Sequence, residues 1–179
     1  MKDGHQVAVT FVCMGNICRS PTAEAVMRHL VREAAFEEAI AVDSAGTGAW
    51  HVGEERDQRS RAVAKRRGMP ITGLARQFVR ADFGRFDLVL ALDEENAREL
   101  RRLAPTDEAR AKIRLLRQFD ASAAPGAEVP DPYYGGPEGF ERVFDICLLA
   151  CRGLLEHLKM TYQLQSKNPR RVLTNSRDE

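Results

Sequence analysis

The residues with the clearest chemical potential stand together near the start of the chain. Arg19 follows Cys13 by six positions, and Ser20 comes directly after it. The residues between them are Met14, Gly15, Asn16, Ile17 and Cys18. A thiolate is a strong nucleophile, and a planar guanidinium can hold two oxygens of a phosphate group. This combination predicts a phosphate-binding loop with a sulfur nucleophile at its start.

The flanking sequence predicts a strand before this loop and a helix after it. Val7–Val12 is nearly all apolar, which is typical of a buried strand. Pro21 suits the first turn of a helix, and a helical pattern continues from Thr22 to about Ala35. The main-chain N–H groups and the dipole of a helix N-terminus attract anions. The predicted loop is therefore in a suitable place to bind phosphate.

Individual loop residues suit the same purpose. Gly15 allows the backbone to approach a ligand closely, and Asn16 tolerates a left-handed conformation. The positive field of the loop favours the thiolate of Cys13, to which Ser20 can donate a hydrogen bond. An isolated cysteine and arginine at this spacing would equally fit a buried thiol beside a surface cation.

A longer string and a distant second string make the assignment more specific. Residues 13–21 read Cys-Met-Gly-Asn-Ile-Cys-Arg-Ser-Pro, and residues 131–135 read Asp-Pro-Tyr-Tyr-Gly. Both strings resemble the low-molecular-weight protein tyrosine phosphatases, in the same order along the chain. The resemblance implies a cysteine-dependent phosphatase that hydrolyses phosphotyrosine in proteins through a cysteinyl-phosphate intermediate.

The resemblance also implies roles for the site residues. Cys13 is the expected nucleophile, Arg19 the phosphate clamp and Asp131 the general acid. Taken alone, an aspartate before Pro132 is more typical of a turn; the neighbouring family string favours the acid role. Residues expected to bind the substrate or its phosphate are Met14, Gly15, Asn16, Ile17, Cys18, Ser20, Trp50, Tyr133 and Tyr134.

Three further positions enter through the resemblance. Ser44 corresponds to a serine that braces the phosphate loop, although it also fits a simple strand-end cap. Trp50 corresponds to an aromatic residue at the pocket entrance; without the resemblance, a loop tryptophan is more often partly packed surface. Gly73 departs from the family, because many members have a histidine there that supports the phosphate loop.

The predicted fold class is α/β, a doubly wound four-stranded parallel sheet with helices on both faces. Alternating strands and helices indicate the parallel sheet, and the strand order 2-1-3-4 is implied by the resemblance. Ligands bind such sheets at the carboxyl ends of the strands, where Cys13 is expected. The predicted strands are Val7–Val12, Ile40–Ser44, Asp87–Asp93 and Lys112–Phe119.

Length and composition set the domain organisation. The chain has 179 residues, and we expect one phosphatase domain over residues 1–160, followed by a polar and flexible extension over residues 161–179. The net charge of +1 gives no reason to expect nucleic-acid or membrane binding. The polar N-terminus lacks the apolar core of a signal peptide, so a cytoplasmic location is expected.

The cysteines and histidines predict neither a metal nor another cofactor. No pair or cluster has the spacing of zinc ligands. Cys147 and Cys151 share the apolar face of the last predicted helix and are expected to be buried. Cys18 either forms a reversible disulfide with Cys13 under peroxide or only packs the loop. Expected partners are a phosphotyrosine protein and a phosphate or other oxyanion, with the chain a monomer or weak dimer.

Three alternatives share part of this pattern. An arsenate reductase on the same fold needs further cysteines near the site. A protein arginine phosphatase tends to have a threonine where this chain has Ile17, which favours tyrosine here. A phosphate-binding module without turnover would have no need to keep Cys13, Arg19 and Asp131 together, and Gly73 is the one feature in its favour.

Overall fold

A four-stranded parallel sheet forms the centre of the molecule, in the order β2-β1-β3-β4. The structure is a computed structural model that describes residues 4–166. The predicted α/β class and the predicted strand order are both confirmed. The strands are β1 Val7–Cys13, β2 Ile40–Gly46, β3 Leu88–Ala91 and β4 Ile113–Leu115.

Helices cover both faces of the sheet. Alternate β1 side chains belong to two separate apolar cores, so Val9 and Phe11 pack on one face while Ala8 and Val12 pack on the other. The first core includes α1, α2 and α5, and the second includes α3 and α4. The helices are α1 Arg19–Glu33, α2 Gln58–Arg66, α3 Glu94–Leu103, α4 Asp107–Ala111 and α5 Pro137–Thr161, with 3₁₀ turns at Arg80–Gly84 and Leu116–Phe119.

The fourth strand is much shorter than predicted. The prediction of a strand over Lys112–Phe119 is wrong beyond Leu115, because the chain turns there into the 3₁₀ segment Leu116–Phe119. An apolar run of this length does not by itself distinguish a strand from another buried segment. The turn brings the Phe119 carbonyl against α5, where a Cβ added at Gly153 would lie 1.8 Å from that oxygen.

The proposed boundary at residue 160 stays a prediction. Helix α5 ends at Thr161, and Leu164 is buried in the first core. Residues 167–179, most of the extension predicted to be flexible, lie outside the described residues. Within the described part of the chain, no helix is long and apolar enough to cross a membrane.

The strand order places two chain segments side by side at one sheet edge. β1 lies between β2 and β3, and the chain leaves β1 and β3 at the same end. The main-chain N–H of Leu92 donates to the Val12 carbonyl at 3.0 Å. Cys13 at the end of β1 and Asp93 just after β3 are therefore neighbours. This is the switch point of a doubly wound sheet, where such folds bind ligands.

Candidate active site

A cavity of about 150 Å³ opens at this switch point. It contains most of the predicted site residues, drawn from the loop after β1 and from the long loop before α5. The described residues that line it are Cys13, Met14, Gly15, Ile17, Cys18, Arg19, His51, Asp131, Tyr133 and Tyr134. Nine of the twelve predicted site residues are in this set. The other three, Asn16, Ser20 and Trp50, do not line the cavity.

Four carbonyl groups of the phosphate loop, within residues 13–17, accept hydrogen bonds from neighbouring segments of the chain. Neighbouring segments supply the donors: three main-chain N–H groups and one guanidinium. The bonds are Thr47 N to Cys13 O at 2.8 Å, Gly48 N to Met14 O at 2.9 Å, Asp57 N to Ile17 O at 2.9 Å, and Arg56 Nη1 to Asn16 O. In a planar trans peptide the C=O and N–H groups point in opposite directions, so these bonds turn the N–H groups of the loop towards its interior.

Those N–H groups remain available for a ligand. None of the main-chain N–H groups of residues 14–18 donates to an acceptor within residues 4–166. Helix α1 begins directly after the loop, and its N-cap residue Cys18 makes no side-chain capping bond. The first-turn donors of a helix without such a cap form an anion-binding site. The loop and the helix N-terminus together make a cradle for an oxyanion.

Asn16 fixes the shape of the cradle. Its backbone has a φ of 56°, in the left-handed region that asparagine tolerates. The buried side chain donates to Ser20 Oγ and Ser44 Oγ, each at 2.9 Å, and accepts from Arg76 N at 2.9 Å. Ser44 in turn donates to Glu24 at 2.6 Å. Asn16 thus braces the loop from beneath and does not line the cavity.

Gly46 at the end of β2 allows the loop to pack this closely. A Cβ at this position would lie 2.7 Å from the Met14 carbonyl oxygen and 3.1 Å from Asn16 N. Both neighbours are backbone atoms, which cannot move aside cheaply. The absence of a side chain at Gly46 is therefore a requirement of the loop conformation.

Ser20 contacts the sulfur of Cys13 directly. The Ser20 Oγ and Cys13 Sγ atoms are 3.0 Å apart, and either atom can donate the hydrogen. Ser20 Oγ also lies 3.2 Å from the Ala45 carbonyl oxygen, to which it can donate. A thiolate cannot donate, so with Cys13 ionised the hydroxyl hydrogen points to the sulfur. Ser20 is placed to stabilise a thiolate although it does not line the cavity.

Arg19 is held by two carboxylates and a carbonyl group. Its Nη1 donates to Asp93 Oδ2 at 2.5 Å and to Val129 O at 3.1 Å, and its Nη2 lies 3.4 Å from Asp131 Oδ2. Burial lowers the pKa of Arg19, but the negative charges of Cys13, Asp93 and Asp131 outweigh it and raise the pKa above its ordinary value. The guanidinium is a permanent cation beside the sulfur.

Asp93 is the least expected of these partners. In the sequence Asp93 was only the last residue of the predicted strand Asp87–Asp93, with no role assigned to it. Its Oδ1 accepts from Asn96 N at 2.7 Å and caps α3, while its Oδ2 holds Arg19. One carboxylate therefore joins the arginine to the end of the neighbouring strand.

The loop that carries Asp131 is anchored on both sides. Before it, Val129 N donates to the Leu92 carbonyl at 2.8 Å. After it, Arg59 on α2 donates to the Tyr133 carbonyl at 3.0 Å and stacks on the Tyr133 ring. The Asp131 side chain accepts from Tyr133 N at 3.1 Å and is 39% exposed. The carboxyl group is thus fixed at the cavity rim, with access to solvent.

The other cysteines have different environments. Cys18 lines the cavity, and burial, assisted by the Asp57 charge, raises its pKa to about 12. Cys147 and Cys151 are fully buried on α5, as predicted, and burial raises the pKa of Cys147 to about 12. All four cysteines are free thiols. Among the described residues, no group of three or more histidine, cysteine or acidic side chains could hold a metal ion.

His51, and not the predicted Trp50, is among the residues that line the cavity. Trp50 is 72% exposed and does not line the cavity, because its ring lies over Gly48. The adjacent His51 lines it instead, and a Cβ at Gly15 would lie 3.0 Å from the His51 ring. His51 Nδ1 is 2.6 Å from Glu54 Oε2. Trp50 at the pocket entrance remains a prediction; His51 was missed because no spacing connects it to the phosphate loop.

The chain is similar to known proteins over most of its length. A family model described as low molecular weight phosphotyrosine protein phosphatase matches residues 8–164. A low molecular weight protein-tyrosine-phosphatase from Streptomyces coelicolor is 52% identical over 148 residues, which cover 82% of this chain and 90% of the relative.

Solved structures are also similar. A protein tyrosine phosphatase from Entamoeba histolytica, with Hepes in its active site, matches with a TM-score of 0.83 and 41% identity over 88% of this chain and 99% of that chain. The drosophila arginine phosphatase matches with a TM-score of 0.76 and 35% identity over 84% of this chain and 97% of that chain.

The fold and the site together define a class of phosphatases that use a cysteine in catalysis. In this chain Cys13 lies in the phosphate-loop region. The chain belongs to the low molecular weight phosphotyrosine protein phosphatase family. The family resemblance of the two sequence strings is therefore confirmed, and the relatives are named as hydrolases of the class that the sequence predicted.

Proposed function

We propose that this protein hydrolyses phosphotyrosine in proteins, with Cys13 as nucleophile, Arg19 as phosphate clamp and Asp131 as general acid. One observation carries the proposal: Cys13 and Arg19 from the phosphate loop and Asp131 from a segment more than a hundred residues away line a single cavity. The cavity has a tyrosine pair at its rim and an anion cradle at its base.

In the first step, the phosphate ester binds in the cradle through the loop N–H groups and Arg19. The Cys13 thiolate attacks phosphorus in line with the leaving oxygen, and Asp131 donates a proton to that oxygen. The bond from phosphorus to the tyrosyl oxygen breaks as the sulfur–phosphorus bond forms. The inward N–H groups and Arg19 stabilise charge on the equatorial oxygens, the largest expected catalytic effect.

In the second step, water releases phosphate from the cysteinyl-phosphate. Asp131, now ionised, accepts a proton from that water, and Cys13 leaves as a thiolate. The hydroxyl of Ser20 stabilises the thiolate as it forms. The position of Asp131 supports this exchange of roles, because its carboxyl group lines the cavity and is also open to solvent.

An arginine phosphatase is the second candidate, since the drosophila arginine phosphatase has the same fold. Ile17 lines the cavity with an apolar side chain, and Tyr133 and Tyr134 add aromatic surface. Apolar and aromatic walls favour a tyrosyl ring over a charged guanidinium group. Arsenate reduction has less support, because Cys147 and Cys151 are fully buried on α5 and neither lines the cavity.

We also propose that the protein acts in the cytoplasm as a monomer or weak dimer. Free cysteines, including a catalytic thiol, are typical of a reducing compartment. Tyr134 is 94% exposed beside the cavity and offers apolar surface for a protein substrate or a second copy. Sedimentation at several protein concentrations tests the oligomeric state.

The deciding experiment compares two peptides of matched sequence, one with phosphotyrosine and one with phosphoarginine. Phosphate release from each is followed with the wild-type protein and with Cys13→Ser as control. We expect release from phosphotyrosine that is lost in the variant. Preference for phosphoarginine would support the second candidate, and turnover of neither peptide would contradict both assignments.

A further inference from the structure

Arg56 is a buried cation behind the phosphate loop, and no sequence motif pointed to it. Its side chain is only 6% exposed, and its Nη1 donates to the main-chain carbonyl of Asn16. Its Nε is also buried and has no hydrogen-bond partner within residues 4–166. A buried arginine with so few partners is costly to keep, so the contact with the loop needs an explanation.

We propose that Arg56 is a positioning residue for the phosphate loop, fixing the Asn16 carbonyl so that the loop binds phosphate in its productive shape. The proposal rests on the proposed function, because it concerns the same site. The Asn16–Ile17 peptide is trans and planar. With its carbonyl group bound to Arg56, its N–H group points away from Arg56. Arg56 does not line the active-site cavity, so it acts only through the loop.

Gly73 provides the room for this guanidinium. Its φ of +77° lies in the left-handed region, and a Cβ built on it would be 4.0 Å from Arg56 Nη2. A longer side chain at position 73 would therefore reach the neighbourhood of the guanidinium. Many members of the family have a histidine at this position that supports the phosphate loop, and this chain lacks that support. Arg56 reaches the loop from the same neighbourhood and supplies a donor to it.

The charges around Arg56 fit an electrostatic role as well. Burial lowers the pKa of Arg56, while the negative charges of Glu24, Cys13 and Asp43 act in the opposite direction and Arg76 adds to the lowering. A cation behind the loop favours negative charge on the sulfur and on bound phosphate. Arg56 thus adds a second fixed positive charge to that of Arg19, on the far side of the loop.

The test uses p-nitrophenyl phosphate as substrate and inorganic phosphate as inhibitor. Arg56→Met removes the donor and the charge but keeps the length of the side chain. Arg61→Met is the matched control, because Arg61 lines the same surface cleft as Arg56 but pairs with Glu55 at 2.5 Å. We expect Arg56→Met to lower kcat and weaken phosphate inhibition by about tenfold or more, and Arg61→Met to change neither by more than about twofold.

The double variant Arg56→Met/Gly73→His separates positioning from simple packing. Histidine is comparatively tolerant of left-handed φ values, and its ring N–H can donate from position 73. We expect the double variant to regain a large part of the lost kcat and of the phosphate affinity. Failure to regain either would mean that Arg56 only fills space, and an Arg56→Met variant within about threefold of wild type would overturn the proposal outright.

Two further measurements keep the test decisive. If Arg56→Met does not fold, Arg56→Lys keeps the buried cation but changes its geometry; unchanged phosphate inhibition in that variant would contradict the proposal. If the wild-type protein hydrolyses no phosphate ester, the proposed function fails. The Arg56 proposal is then judged by the rise in melting temperature that inorganic phosphate gives the wild-type protein, which Arg56→Met should lose.

Discussion

Replacing Ser20 by alanine should slow alkylation of Cys13, because the Ser20 hydroxyl stabilises the thiolate form of that sulfur. With a neutral thiol, Cys13 can donate to Ser20 Oγ at 3.0 Å while Ser20 donates to the Ala45 carbonyl at 3.2 Å. With a thiolate, the one hydroxyl hydrogen turns to the sulfur. The Ser20→Ala substitution removes a hydrogen bond that only the thiolate receives.

The size of the effect follows from these hydrogen bonds. A hydrogen bond to a charged group contributes about 1.5–3 kcal/mol. The substitution also removes two weaker bonds of the neutral state, the Ser20–Ala45 bond at about 1 kcal/mol and the thiol–Ser20 bond at about 0.5 kcal/mol, since S–H is a weak donor. At the middle of these ranges the net loss of about 0.75 kcal/mol slows alkylation roughly three- to fourfold. The substitution also leaves one Asn16 Nδ2 hydrogen unpaired, which costs about 1–3 kcal/mol of folding stability.

Iodoacetamide is the suitable reagent, because it is neutral and gains nothing from the anion cradle. The rate is measured by mass analysis of the Cys13 peptide, at the acid end of the pH range in which the protein stays folded, where it is proportional to the thiolate–thiol constant. Thr10→Val is the control: its hydroxyl is buried in β1 without a hydrogen-bond partner within residues 4–166. A folded Ser20→Ala protein that is alkylated at the wild-type rate would refute this reasoning.

Three other substitutions test other parts of the account. Asp131→Asn should lower kcat/KM about 10²- to 10⁴-fold for phenyl phosphate and much less for p-nitrophenyl phosphate, because kcat/KM reports formation of the intermediate and the p-nitrophenyl leaving group needs no proton; equal losses of kcat/KM would argue against the acid role. Gly153→Ala should lower the melting temperature by about 2–10 °C in calorimetry, because the new Cβ meets the Phe119 carbonyl at 1.8 Å. Gly139→Ala, which makes only ordinary contacts, should not. Cys18→Ala should lose activity irreversibly in mild peroxide, whereas wild type recovers with reductant; equal recovery would exclude a protective disulfide.

The sequence predicted those parts of the molecule whose structure depends on residues close together in the chain. The apolar run of β1, the glycine and asparagine of the loop and the proline of α1 lie within a few residues of one another. The conformation of these residues follows from the backbone preferences of each residue and its immediate neighbours. The Asp131 string was recognisable for the same reason, because its residues are adjacent in the chain.

The parts that it did not predict depend on contacts across the fold. Arg56 reads as one charge among many in a polar segment, and only the packing of that segment behind the loop buries it. Asp93 holds Arg19 because two strands distant in sequence are neighbours in the sheet. The 3₁₀ turn Leu116–Phe119 follows from packing on α5, which an apolar run cannot specify.

The most direct test of the central claim is to find phosphate on Cys13 during turnover. The Asp131→Asn variant is suitable, because loss of the base that activates water should make the intermediate accumulate with p-nitrophenyl phosphate. Rapid denaturation followed by mass analysis then locates any phosphoryl group. The account predicts one phosphoryl group on Cys13 and none in the Cys13→Ser protein; turnover without it, or a phosphoryl group on another residue, would contradict the mechanism.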